Sequence, residues 1–164
     1  MRLPLALSVL FSLSVSVEAG EYPVSFSGYG PARLGMTVAE LEQALQTSLN
    51  VQAPELEGCA YAEPVQGHEG LALMLKDGQL VRIDVLAPGI RTLSGATVGS
   101  SESEIAALYS GRLQRSPHAY GAGSYLTLLS QNGHYGLRFE TVAGKVTSFY
   151  VGLKSAIQLA EGCS

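Results

Sequence analysis

The chain has 164 residues, 46% of them hydrophobic, with a formal net charge of −4 and only three lysines. This allows one domain with a real core, or two small halves sharing one, and excludes a disordered chain. The acidic balance argues against a nucleic-acid binder, which needs a basic stripe to neutralise phosphates, and just two aspartates, Asp77 and Asp84, leave little for a carboxylate-rich metal or phosphoryl-transfer site.

Met1-Arg2 is a short basic start, followed by an apolar and serine stretch from Leu3 to Val17 that is too short to span a bilayer. Val17-Glu18-Ala19 sets apolar or small residues at the −3 and −1 positions of a cleavage site, so residues 1–19 read as a signal peptide and Gly20 as the mature start. The expectation is a periplasmic or secreted protein with no membrane span after cleavage. The two cysteines, Cys59 and Cys163, fit that compartment. An even number in an exported chain predicts one disulfide, and the absence of a CxxC spacing favours a structural bridge over a redox pair.

Leu34-Gly35-Met36-Thr37-Val38-Ala39-Glu40-Leu41 reads as a helix start, with Thr37 as the cap and Glu40 reaching back to it. Leu41, Ala44 and Leu45 then make one apolar stripe. A strand is predicted around Cys59 to Glu63. Leu71 to Val85 reads as strand, Asp77-Gly78 turn, strand. Gly89 to Thr92 is a link. Val98-Gly99-Ser100-Ser101-Glu102-Ser103-Glu104-Ile105 then repeats the helix start at an offset of 64, with Ser101 as cap and Glu104 as its partner. A strand from Ser124 to Leu129 follows, and Tyr125 matches Tyr61 at the same offset. Leu137 to Val151 matches the first hairpin at an offset of 66. The pattern predicts an α+β fold of two tandem helix-plus-antiparallel-meander units, with the helices packed on one face of the sheet. The units span 20–92 and 93–164.

The residues Gly35, Met36, Thr37, Glu40 and Leu41, with Gly99, Ser101, Glu104 and Ile105 in the second unit, carry a resemblance. A Leu-Gly-Met-Thr-x-x-Glu-Leu helix opening before an antiparallel meander resembles the SmpA/OmlA-type outer-membrane assembly lipoproteins. Two such units in tandem resemble the beta-lactamase inhibitory proteins. The resemblance implies an exported module that binds protein through a sheet face. No cysteine stands at the cleavage position, unlike in the assembly lipoproteins.

Alternation assigns the sheet faces. Leu71, Leu73, Leu75, Val81, Ile83 and Val85 point one way, with Leu137, Phe139, Phe149 and Val151. Met74, Lys76, Arg82, Asp84, Arg138, Glu140, Ser148 and Tyr150 point the other way, joined by Tyr61, Glu63, Tyr125 and Thr127. Tyrosine and arginine on a rigid sheet give large contact area at low entropy cost. Tyr61, Arg82, Tyr125, Arg138 and Tyr150 are therefore the candidate binding residues. His68, His118 and His134 fall in loops without metal-ligand spacing. Ser124 lacks a nucleophile-elbow context. No cofactor, metal or catalytic site is expected. The leading functional class is a non-enzymatic protein-binding module of the inhibitor or immunity type, and the alternative is a structural or assembly factor of the cell envelope.

Overall fold

The computed structural model describes residues 22–52 and 58–163. The expected signal peptide lies outside the described residues. In chain order the elements are β1 (Val24–Ser25), β2 (Gly28–Tyr29), β3 (Ala32–Arg33), α1 (Val38–Leu45), β4 (Leu49–Val51), β5 (Cys59–Pro64), β6 (Leu71–Lys76) and β7 (Gln79–Val85). After these come α2 (Glu102–Leu108), β8 (Gln114–Pro117), β9 (Gly123–Leu129), β10 (Tyr135–Val142), β11 (Lys145–Leu153) and a 3₁₀ turn, Ala156–Gln158.

Both helices begin where capping chemistry places them. Glu40 N–H donates to Thr37 Oγ1, and Thr37 N–H donates to the Glu40 carboxylate at 2.8 Å. Ser101 and Glu104 form the same reciprocal pair, at 2.6 Å from the Ser101 N–H to the carboxylate. These bonds hold both glutamates below the usual carboxylate range, the backbone N–H of the cap residue first and its hydroxyl second. The hairpins turn at Asp77-Gly78 and Ala143-Gly144, all four residues with positive φ, as a two-residue turn matching strand twist requires.

The tandem-unit architecture is corrected by the strand pairing. The protein is mostly β, and eight strands form one antiparallel sheet in the order β4-β5-β6-β7-β11-β10-β9-β8, beside a small β1-β2-β3 sheet. There are no two separate helix-plus-meander units. β7 pairs directly with β11, from Phe149 opposite Val85 to Gly152 opposite Arg82. The physical reason is edge burial. Separate meanders would each leave two unpaired edges and a core too thin for about 60 residues. Joining at β7 and β11 removes two of those edges and gives both helices one surface to cover.

The core lies under the helices. Leu41 and Leu45 of α1 and Ile105 of α2 pack with Leu73, Ile83, Leu128, Phe139, Phe149 and Val151. The helix starts are tied to the hairpins: Gly35 N–H donates to Leu80 O, and Gly99 N–H donates to Val146 O, each at 2.8 Å. The assignment of Val81 to this face is also corrected. Met74 pairs with Arg82 but Leu75 pairs with Leu80, so Val81 is an extra residue at a β-bulge. Leu80 takes the core position, and Val81 packs on the other face, against Cys59, Met74 and Cys163. Thr147 is the extra residue of the second hairpin, between Ser148 opposite Glu140 and Val146 opposite Thr141.

His68 is a core residue rather than an exposed loop residue. Its Nε2 lies 3.1 Å from Leu45 O and its Nδ1 3.2 Å from the Tyr29 hydroxyl. The carbonyl can only accept, so Nε2 carries a proton and donates to it, while Nδ1 is hydrogen-bonded to the Tyr29 hydroxyl. His68 thereby pins the small sheet and the end of α1 together.

Candidate functional site

The sheet face opposite the helices is built in rows. Asp84, Tyr150, Arg138 and Thr127 stand side by side on β7, β11, β10 and β9. The next row is Tyr61, Met74, Arg82, Gly152 and Gly136, and another brings Ser148, Glu140 and Tyr125 together. The two glycines allow close approaches, of Ile157 at Gly136 and of the β7 backbone at Gly152. A Cβ on Gly136 would sit 2.0 Å from Ile157 Cδ1, and one on Gly152 would meet Val81 O at 2.3 Å. Ile157, in the 3₁₀ turn after β11, is fully buried.

The C-terminal segment is thus a strap across half of this face. The disulfide Cys59–Cys163, closing a sequence separation of 104, fastens its far end to β5. Gly162 lies against the Tyr61 ring, where a Cβ would stand 2.2 Å from the hydroxyl. Arg82 holds the middle of the strap by donating from Nη1 to Ala156 O at 3.1 Å and Leu159 O at 2.7 Å.

Arg82 is the hub of a closed network. Its Nε donates to Asp84 Oδ1 at 2.6 Å, and its Nη2 donates to Asp84 Oδ2 at 3.0 Å and to the Tyr61 hydroxyl at 2.9 Å. Tyr61 in turn donates to Asp84 Oδ2 at 3.0 Å. The guanidinium lies 4.3 Å from the centre of the Tyr150 ring. Both members of the ion pair are 4% exposed, so the pair is a buried one. Burial pushes the Asp84 carboxyl up against the opposing pull of Arg82. Burial opposes the Arg82 charge, yet Asp84 more than offsets it and leaves that group raised. Burial, then the Asp84 charge, drives the Tyr61 phenol well above its usual value, so it stays a donor.

The second cluster is more open. Glu140 accepts from Tyr150 Oη and from Ser148 Oγ, each at 3.1 Å. His118 Nε2 lies 3.7 Å from the same carboxylate, and its ring stacks on Tyr125 with centres 4.7 Å apart. The Arg138 guanidinium lies 4.9 Å from the centre of the Tyr125 ring, and its Nε donates to Thr127 Oγ1 at 3.0 Å. Burial, then Glu140, raises the Tyr150 phenol.

Of the five candidate binding residues, Tyr61 and Arg138 are half-buried, while Arg82, Tyr125 and Tyr150 are buried. The structure brings Tyr61, Arg82 and Tyr150 to one cleft of about 360 Å³, with Tyr125 and Arg138 in the neighbouring cluster. Glu63, Glu140, Glu161, Gln52 and the exposed Leu86 also line the cleft. The Tyr120 hydroxyl meets Glu161, joining the loop after β8 to the strap. Glu140 and Glu63 share the strand parity that selected the tyrosines and could have been found by it. Glu161 could not, since nothing local marks a strap. Among the described residues no group of three or more His, Cys, Asp or Glu side chains could hold a metal ion. No helix among them is long and apolar enough to cross a membrane. Chemically the cleft offers phenol rings, carboxylates and the aliphatic side chains of Ala72, Leu86 and Ala160 on a fixed floor.

No family model matches the chain, and no curated protein matches it. Among solved structures it is similar to the uncharacterized protein YfeY of Escherichia coli, with a TM-score of 0.53 and 18% identity, covering 80% of this chain and 99% of that one. At that identity the likeness is one of fold.

Proposed function

We propose that this protein is an exported binding module that takes a protein partner in the cleft on the outer sheet face, and that the partner contributes a basic segment. The observation that carries the reading is the charge balance of a pre-shaped cleft. Glu63, Glu140 and Glu161 line it together. The guanidinium in it, Arg82, is already committed to Asp84 and to two strap carbonyls. An entering lysine or arginine would find carboxylates beside it and the rings of Tyr61 and Tyr150 to lie on. Leu86 supplies apolar contact at the edge. The strap, disulfide and bulged hairpin hold the floor in place, so little ordering cost accompanies binding. The disulfide supports export into an oxidising compartment.

The test is capture from an extract of the cell envelope with the mature protein, run beside Glu63→Lys/Glu140→Lys. Glu63 is exposed, whereas Glu140 accepts from Tyr150 and Ser148, so circular dichroism and a urea midpoint check that the double variant is folded before its binding is read. The reading expects a stoichiometric protein retained by the wild type and lost both in the variant and in about 0.5 M salt. Equal retention by both forms would refute it.

A further inference from the structure

A second concavity lies on the opposite side of the sheet and has different chemistry. It is a pocket of about 150 Å³, open at one side, between the small sheet, the chain around Leu93 and the end of α2. Leu128, Leu137 and Val151, on the three adjacent strands β9, β10 and β11, form its floor, and Phe26 and Leu93 are among its walls. The floor residues are buried, whereas Leu93 is 71% exposed. The polar groups deepest in the lining are already satisfied, Thr92 Oγ1 and Tyr109 Oη bonding each other at 2.7 Å. The lining is mainly apolar, with the serines and Arg112 as its other polar members, and it favours a guest that is apolar over most of its length. An enclosed engineered cavity of about 150 Å³ lined by Leu, Ile and Phe takes a benzene ring. That sets the capacity at about six carbon atoms.

The rim supplies the second half of the recognition. Arg112 lines the pocket and is exposed. The ion pairs among the described residues are Arg82–Asp84, Arg115–Glu102 and His118–Glu140, and Arg112 belongs to none of them. An apolar hole of this depth beside an unmatched guanidinium is complementary to a chain with one anionic end.

We infer that this pocket binds the tail of a free single-chain fatty acid, with about six carbons inside and the carboxylate paired to Arg112 at the mouth. The site is separate from the outer-face cleft, since the two share no lining residue. A fatty acid can therefore occupy it whether or not a partner fills the cleft.

The experiment is methyl NMR of the full mature protein titrated with octanoate, 1-octanol and octylammonium, each below its micelle concentration. Octanoate should shift the methyl signals of Leu128, Leu137 and Val151 saturably and bind at least about fivefold more tightly than octylammonium. Arg112→Gln removes an exposed side chain with no ion-pair partner, so folding should be kept. It should weaken octanoate by about three- to tenfold and leave octanol unchanged. Three results would each overturn the inference: no shift at those methyls, equal affinity for octanoate and octylammonium, or an octanoate affinity that ignores Arg112→Gln.

Discussion

Arg82→Ala is the sharpest perturbation of the outer face. It leaves Asp84 as a buried carboxylate without its cation and strips Ala156 O, Leu159 O and the Tyr61 hydroxyl of a donor. Breaking one side of a buried ion pair costs about 3–5 kcal/mol, because the remaining charge keeps its desolvation penalty. With a urea m-value of about 2 kcal/mol/M for a domain of this size, the midpoint should fall by about 2 M. The double change Arg82→Met/Asp84→Leu removes both charges and should cost much less than Arg82→Ala, since apolar replacements of a buried pair are often nearly neutral. The pH dependence has a definite sign. In Arg82→Ala the lone carboxylate titrates higher in the folded state than in the unfolded one. Its penalty is therefore absent below the unfolded carboxyl range, about pH 4, where both states hold the proton, and grows as pH rises from there through the raised folded value. Urea titrations of the three proteins at pH 7 and pH 3.5 measure all of this. An Arg82→Ala midpoint within about 0.3 M of wild type at pH 7 would show that Arg82 is solvated and that the strap is held without it.

Cys163→Ser should lower stability by about 2–5 kcal/mol for a bridge closing a loop of this length; non-reducing peptide mapping should find Cys59 joined to Cys163, and two alkylatable thiols in the folded protein would contradict it. Thr37→Ala and Ser101→Ala should each cost about 0.5–2 kcal/mol and add in the double variant, because the caps sit on separate helices, as chemical denaturation would read. The cap carboxylates are depressed in the folded state, so their contribution is present above the unfolded glutamate range and lost as pH falls through the folded value. Denaturation of Glu40→Gln and wild type should accordingly differ at pH 7 and converge at acid pH. Gly152→Ala should cost about 1–3 kcal/mol by pressing a methyl into Val81 O across the β7–β11 seam; an unchanged midpoint would mean the seam is looser than described.

The sequence is legible where the chemistry is local. Thr37 with Glu40, Ser101 with Glu104, and Asp77-Gly78 all occupy the structures their types dictate. The departures come from non-local terms. Val81 leaves the core face because a bulge inserts one residue, and strict alternation carries no mark of that. β4 and β8 are edge strands of three and four residues, too short to show an alternation of their own, and their pairing comes from their neighbours. The single eight-stranded sheet follows from β7 meeting β11, a contact between segments more than 60 residues apart. At the site, parity sent Tyr61, Arg82, Tyr125, Arg138 and Tyr150 to one face, and the structure puts them there. It could not foresee that Ile157 would pack onto Gly136 and that the C-terminal strap would bury Arg82.

Site-specific photo-crosslinking in the native host addresses the outer-face cleft most directly. A photoreactive phenylalanine analogue replaces either Leu86, which lines the cleft, or Leu108 on α2, which is exposed at the end of the helix on the other side of the sheet. The account predicts one discrete protein adduct from position 86, absent when Glu63→Lys/Glu140→Lys is combined with it, and none from position 108. An adduct from position 108 alone, or the same adducts from both positions, would contradict it.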